Sequence, residues 1–405
     1  MAAPDPAERA SAPAIHLPIW LLVLITTSGT FGIHVFVPAL PQAGAALQAP
    51  AALMSLTISL YVLGLALGQL FYGPVSDSLG RRPVLLAGLS LYSLAGLMAA
   101  LAPEAHWLVG ARLLQAMGGC AGLALGRAMV RDVSPPREAA SRLAVLNLAV
   151  SVGPAMAPLL GGLLTEYLGW RAVLLFLCLM GAGTTLLALR ILPETNRGGQ
   201  GRSAAALAQD YRRLITSPAF LGYAIGGGCA TTSWYAYLTA LPFMVMDQLG
   251  RPLREVGFIA IALMLGTSLG NFLAARLLRR ISLSVLLPWA SLLGILGTLV
   301  FLVPVMAGHL NLAIVVIGPL IYMVGVGITS PLALTKALGV NPAVIGSAAG
   351  LYGCVQMGVG ALCAAMVGFG GHPALAGGSV LTGATILGLL CFMGALAWER
   401  RGGER

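Results

Sequence analysis

The stretch Gly73-Pro-Val-Ser-Asp-Ser-Leu-Gly-Arg-Arg-Pro83 joins two apolar runs of the sequence, near residues 53–73 and 83–102. Each run has about the 20 residues that a helix needs to cross a bilayer. Gly80 permits a tight turn, and Asp77 stands four residues before Arg81, within reach of a charge pair. The stretch therefore predicts a short polar turn between two membrane-spanning helices.

Apolar runs of this length recur along the whole chain. Of its 405 residues, 58% are hydrophobic and 9% are charged, whereas soluble domains carry about 25% charged residues. This composition excludes an ordinary soluble protein. The runs also lack the alternating pattern of a membrane β-barrel. We predict an all-α membrane protein with twelve transmembrane helices near 18–40, 53–73, 83–102, 107–130, 141–165, 171–192, 219–241, 255–278, 283–306, 311–334, 344–368 and 375–398.

One long polar connection divides these helices into six and six, which predicts two bundles in one chain. Weak similarity between Gly68–Arg82 and Gly270–Arg280, at the ends of the second and eighth runs, favours pseudo-symmetric halves. The predicted organisation is an N-terminal tail 1–17, a first bundle 18–192, a linker 193–218, a second bundle 219–398 and a C-terminal tail 399–405.

The net charge of +10 comes from arginines that fall mainly on one side of this topology. Positive residues stay in cytoplasmic loops. We therefore expect both termini and the linker to be cytoplasmic, while the opposite side carries only Arg171, Arg251 and Arg254. Basic residues scattered over short loops are topology signals, so nucleic acid is not an expected partner.

The 73–83 stretch resembles the signature loop between the second and third helices of the major facilitator superfamily. This resemblance implies the major facilitator fold and a cytoplasmic gate at this loop. In the family, the aspartate of the loop braces the start of the eleventh helix, where the helix dipole favours negative charge. The residues of this gate motif are Gly73, Asp77, Gly80, Arg81 and Arg82.

Two further motifs make the chain similar to the Bcr/CflA subfamily of drug/proton antiporters, which includes chloramphenicol and florfenicol exporters. One is an intramembrane arginine followed by glutamine and glycine, and the other is associated with exporters; their residues here are Arg112, Gln115 and Gly118, and Gly153, Pro154, Pro158, Gly161 and Gly162. Val37–Pro41 and Val130–Val133 add to the similarity. It implies a multi-pass protein of the bacterial inner membrane that exports drugs by proton-coupled alternating access.

One position departs from the subfamily pattern. An acidic residue usually stands four residues before the first proline of the Pro38–Pro41 stretch, and this sequence has His34 there. All thirteen acidic residues fall in tails, loops or helix ends by our assignment. Imidazole titrates near pH 6.5 when unperturbed, so His34, with Arg112 nearby, is the candidate for proton coupling. The alternative is a neutral, hydrogen-bonded packing histidine.

Polar and aromatic side chains within the predicted spans are candidates for the substrate cavity. Arg127 would leave the first bundle rich in positive charge, which suits neutral or anionic solutes, although it could instead extend to the membrane interface. Aromatic residues near helix ends are alternatively interfacial anchors. The candidates are Phe31, Tyr61, Gln115, Arg127, Trp234, Tyr235, Tyr237, Tyr352 and Gln356.

The leading hypothesis is a proton-coupled exporter of small apolar or amphipathic compounds. The alternative is a transporter, including an importer, of an anionic metabolite or a metal complex. No nucleophile elbow, phosphate-binding loop or metal-ligand spacing indicates an enzyme, and the six cysteines lie in predicted spans without a CxxC pair. We expect a monomer with no cofactor and no bound metal, whose partners are a small-molecule substrate, protons and the lipid bilayer.

Overall fold

The computed structural model describes residues 17–196, 204–341 and 344–402. Nearly all of the predicted N-terminal tail, residues 197–203 of the predicted linker and the last three residues lie outside the described residues. The described helices are α1 Ile19–Phe36, α2 Leu40–Ala46, α3 Ala51–Leu79, α4 Arg81–Ala100, α5 Ala105–Val133, α6 Pro136–Leu168, α7 Trp170–Ile191, α8 Ala204–Ile215, α9 Pro218–Thr231, α10 Trp234–Phe243, α11 Arg254–Leu277, α12 Leu283–Met306, α13 Leu312–Gly339, α14 Ile345–Val367 and α15 Pro373–Gly402.

The prediction of an all-helical fold with twelve membrane helices in two six-helix bundles is confirmed. Ten helical segments of the described chain are long and apolar enough to cross a membrane. The 33-residue α6 supplies the fifth span of the first bundle, and α9 with α10 supplies the first span of the second. The short α8 lies between the bundles in sequence.

Two predicted spans are interrupted in the structure. The first breaks at the 3-10 turn Val37–Ala39, because Pro38 has no backbone N–H to continue the helix. The seventh breaks after Thr231, where the Thr232 hydroxyl bonds the carbonyl oxygens of Gly228 and Gln356 at 2.9 and 2.6 Å. A hydroxyl that bonds the preceding turn competes with the helical backbone pattern. Both interruptions lie where the first helix of a bundle faces the other bundle.

Each bundle is held together by a matching contact between a tyrosine and a glycine. A Cβ atom at Gly118 would collide with the Tyr92 amide nitrogen, and one at Gly297 would collide with that of Tyr322. Only glycine permits backbones to approach this closely. The Tyr92 hydroxyl then donates to the Ser28 carbonyl at 3.1 Å. In the second bundle the Tyr322 hydroxyl donates to the Ala230 carbonyl at 3.2 Å.

The two bundles contact each other mainly in one half of the molecule. At that end a Cβ atom at Gly257 of α11 would lie 2.8 Å from the Cα of Leu159 in α6, and one at Gly368 would lie 3.0 Å from the Cα of Ala52. We call this the closed end. The opposite end carries the α3–α4 turn at Gly80, and we call it the basic end because arginines cluster there.

Gly118→Val should lower the thermal unfolding temperature of the purified protein by several degrees, because overpacking a well-packed contact costs about 1–3 kcal/mol. Gly110→Val is the matched control on the same helix, since a Cβ atom at Gly110 has no neighbouring atom within 4 Å. Equal unfolding temperatures for the two variants would show that the α4–α5 contact is not tight.

Candidate functional site

A cavity of about 1040 Å³ lies between the bundles at the basic end. Its walls come from α3, α5 and α6 of the first bundle, from the connecting helix α8, and from α11, α13 and α14 of the second bundle. The cavity reaches down to Gln69 in the middle of α3 and up to Arg81 at the start of α4. This volume suits a drug-sized ligand, since such sites are typically about 300–1,000 Å³.

The gate motif lies at the rim of this cavity and forms an ion-pair cluster. The Arg81 guanidinium pairs with Asp77 at 2.5 Å and with Asp132 of α5 at 2.9 Å, and donates to the Ser76 hydroxyl at 2.6 Å. Gly80 has φ +98°, a conformation that L side chains avoid. Arg81 is thus held by three partners and ties the end of α3 to the end of α5.

Glu194 completes this cluster, although it was not among the predicted site residues. Its carboxylate accepts hydrogen bonds from the backbone amides of Arg81 and Arg82 at 2.9 and 3.1 Å. A Cβ atom at Gly80 would lie 2.6 Å from Glu194 Oε2, so the turn needs glycine for space as well as for its φ angle. A negative charge at the start of α4 also complements the helix dipole. The signal in the sequence is the acidic residue of Leu192-Pro-Glu194 directly after the sixth span.

Asn196 also bonds to the end of α3, next to the α3–α4 turn. Its side-chain amide donates to the carbonyl oxygens of Asp77 and Ser76 at 3.0 and 3.3 Å. The Arg82 guanidinium donates to the Leu189 carbonyl of α7 at 2.8 Å. The first residues of the predicted linker are therefore bonded to the α3–α4 turn.

His34 lies at the contact between the bundles, away from the cavity lining. It is 4% exposed, and its ring stacks on Trp234 of α10 with 5.6 Å between centroids and 19° between planes. Tyr235 lies at 6.3 Å in a tilted arrangement. The His34 Nδ1–H donates to the Thr30 carbonyl at 2.8 Å. Three predicted site residues, His34, Trp234 and Tyr235, thus form one aromatic cluster.

Arg112 is fully buried in the first bundle. It donates to Gln115 Oε1 at 2.7 Å and to the Gly32 carbonyl at 2.8 Å, and its guanidinium lies 4.0 Å from the Tyr61 ring centroid. The Tyr61 hydroxyl donates to the Gly29 carbonyl at 2.9 Å. Within the described residues no carboxylate pairs with Arg112. Arg112, Gln115 and Tyr61 therefore bind α5 and α3 to α1 rather than line the cavity.

The other predicted cavity residues are spread over the bundles. Phe31 packs near Phe176 with ring centroids 6.4 Å apart. The Tyr237 hydroxyl donates to the Val315 carbonyl at 2.6 Å inside the second bundle. Gln356 donates to the Thr231 hydroxyl at 2.8 Å, and Tyr352 is buried. Of the nine candidates, Arg127 is the one among the described residues that lines the cavity.

The exporter-type motif on α6 faces α1. A Cβ atom at Gly161 would collide with the Val35 carbonyl, and one at Gly153 would lie 3.8 Å from Phe31 and Thr27. Gly162 lies toward Leu253 of the other bundle, and Pro158 is buried. The side chain of Pro154 lies outside the described part. The motif thus permits close packing of α6 on α1, beside the contact between the bundles.

The chain is similar to known membrane transporters. The profile of the Major Facilitator Superfamily matches residues 20–365. An uncharacterized MFS-type transporter, YdgK, of Bacillus subtilis is 32% identical over 95% of this chain and 96% of its own length. Multidrug resistance protein D of Escherichia coli is 30% identical over 92% of this chain and 94% of its own length.

A solved structure shares the fold. A bacterial homolog of the human lysosomal transporter Spinster, in an inward-facing and occupied conformation, superposes with a TM-score of 0.71. It covers 94% of this chain and 96% of its own at 18% identity, which supports a shared architecture.

Glu194→Gln should increase hydrogen exchange at the Arg81 and Arg82 amides, because a neutral amide has one acceptor oxygen in place of two and carries no charge at the helix start. Loss of a helix cap costs about 0.5–2 kcal/mol, so exchange should rise by about two- to thirtyfold. Mass-spectrometric exchange on the purified protein measures this. Glu166→Gln is the control, an exposed carboxylate at the closed end. Unchanged protection in Glu194→Gln would contradict the capping role.

Proposed function

Because the chain belongs to the major facilitator superfamily, we propose that it is a secondary active transporter that exports small apolar or amphipathic compounds by alternating access, driven by proton entry. The cavity between the two bundles carries this proposal, since it is large enough for a drug-sized molecule and lies at one end only. The multidrug resistance protein among its relatives supports a drug as the exported compound. The same resemblance supports the bacterial inner membrane as its location.

The basic end is the cytoplasmic end in this proposal. The cavity mouth carries Arg81 and Arg131, and the neighbouring α8 carries Arg212. Positive charge is retained on the cytoplasmic side of membrane proteins. The cavity then receives its substrate from the cytoplasm or the inner leaflet. The closed end faces outward and must open to release it.

The ion pairs at the rim support a gating role for this motif. Asp77, Arg81 and Asp132 join α3 to α5 within the first bundle, and Glu194 holds the turn in shape. A rigid turn can meet the start of α14, at Ile345 and Gly346 across the cavity mouth, as the bundles close. We propose that this meeting seals the cytoplasmic side when the outer side opens.

The position of His34 supports a role in proton coupling. A neutral imidazole packs against Trp234 in the closed contact between α1 and α10. Among the described residues no carboxylate pairs with His34, so a positive charge in that buried contact would be unpaired. An unpaired buried charge is costly. Protonation of His34 would therefore favour separation of the bundles at the closed end, where the ring could be hydrated. The proton and the substrate thereby favour different conformations, which is what exchange requires.

Transport by the purified protein in proteoliposomes tests the function itself. Radiolabelled chloramphenicol and a panel of dyes should accumulate when the vesicle lumen is made acidic relative to the outside, because the exchanged substrate moves against the direction of proton flow. Addition of a protonophore should abolish the accumulation. Vesicles without protein give the passive leak. Accumulation that is indifferent to the pH gradient would contradict proton coupling, and absence of flux for the whole panel would contradict drug export.

His34→Gln keeps a polar side chain of similar size but cannot titrate. It should abolish pH-driven accumulation while leaving substrate binding and counterflow exchange within about twofold, since exchange without net proton movement needs only the cavity. His309→Gln, at an exposed histidine in the connection between α12 and α13, is the matched control. If His34→Gln accumulates substrate with unchanged pH dependence, His34 is a packing residue.

A further inference from the structure

Two arginines of the cavity wall have no ion-pair or side-chain hydrogen-bond partner among the described residues. Arg127 and Arg131 stand one helical turn apart on α5, and both line the cavity. Within the described residues neither makes an ion pair or a side-chain hydrogen bond, and the Arg127 Nε atom is buried and unsatisfied. Like charges at this spacing destabilise a helix by about 0.2–0.5 kcal/mol. The pair is therefore a site of uncompensated positive charge.

No carboxylate among the described residues forms an ion pair with either arginine. Asp77 is paired with Arg81, and Asp132 accepts from Arg81 and from the Thr195 hydroxyl. The second bundle and α8 contribute uncharged polar groups to the described lining, namely Tyr211, Asn271, Ser330 and Ser347. A cation in this cavity would face two arginines and find no free carboxylate among these lining residues.

The rest of the lining is apolar. Next to the arginines the walls are formed by aliphatic side chains from both bundles: Leu123, Val150, Leu207, Val326, Leu334 and Ile345. Such a surface suits an apolar body, while the guanidinium groups suit a carboxylate, sulfonate or phosphate, which arginine binds with two parallel hydrogen bonds. The cavity thus combines a positively charged region with an apolar wall.

We infer that Arg127 and Arg131 bind the anionic head group of an amphipathic organic anion whose apolar body lies along the aliphatic wall. This inference rests on the proposed transport function and specifies its substrate class. An anion between the two arginines relieves their repulsion. Cationic compounds of the same shape are disfavoured, because desolvating a cation beside unpaired arginines is unfavourable.

Two xanthene dyes of similar shape and opposite charge test the inference. Fluorescein is anionic and rhodamine 123 is cationic near neutral pH. Their affinities for the full-length protein are measured by fluorescence polarisation in nanodiscs of zwitterionic phosphatidylcholine, so that no anionic lipid competes. The wild type should bind fluorescein about tenfold more tightly than rhodamine 123, because a charge-assisted hydrogen bond contributes about 1.5–3 kcal/mol.

Variants then assign the preference to the arginines. Arg127→Gln should weaken fluorescein binding about tenfold and leave rhodamine 123 binding unchanged or tighter. Arg127→Lys should retain most of the preference, and Arg190→Gln, an exposed arginine on α7, should retain all of it. Size-exclusion profiles and unfolding temperatures confirm that each variant is folded. Equal affinity of the wild type for the two dyes, or unchanged fluorescein affinity in Arg127→Gln, overturns the inference.

A flux measurement with the same dyes separates this inference from the proposed function. Transport of rhodamine 123 without binding of fluorescein refutes the anion site and leaves drug export standing. Fluorescein binding that depends on Arg127, with no transport of either dye or of chloramphenicol, supports the site and refutes the transporter proposal for this panel. Absence of binding for both dyes overturns the anion site.

Discussion

Inside a bilayer a backbone amide finds no water, so it must bond within its own helix, and this constraint decides the architecture of the chain. Helices that have already satisfied their backbones gain little hydrophobic energy from meeting each other in lipid, and close packing has to hold them together. Gly118 and Gly297 permit that packing in their respective bundles. Tyr92 and Tyr322 then cross the narrow gap and bond a carbonyl of the first helix in each bundle. The repeated contact is a structural counterpart of the internal similarity in the sequence.

The fold could be predicted because span length and polar connections are local properties. The turn at Gly80 is likewise encoded in a few neighbouring residues. The interruptions were not predicted, since the break after Thr231 depends on the Gln356 carbonyl of a distant helix. Pro38 was visible in the sequence, but its effect was hidden by a continuous apolar run.

The site was predictable to a smaller extent. Aromatic residues in a span can face the cavity, the bundle core or the other bundle, and a single helix does not specify which. Trp234 and Tyr235 lie against His34, Tyr237 lies inside the second bundle, and Arg127 alone among the nine candidates lines the cavity in the described part. Glu194 was missed because its role depends on two backbone amides more than a hundred positions earlier in the chain.

The bonds of Glu194 and Asn196 to the α3–α4 turn also determine where the two halves of the polypeptide can be separated. If the chain is divided directly after the sixth span, at Leu192, the first half contains α4 without the Glu194 carboxylate that caps its start. The second half would then carry Glu194 without the Arg81 and Arg82 amides that it binds. A division after Asn196 keeps Glu194 and Asn196 in the same half as the α3–α4 turn that they bind. The first half is therefore complete only after Asn196, beyond its last span. During synthesis, the start of α4 gains its carboxylate partner only when the residues that follow α7 have emerged.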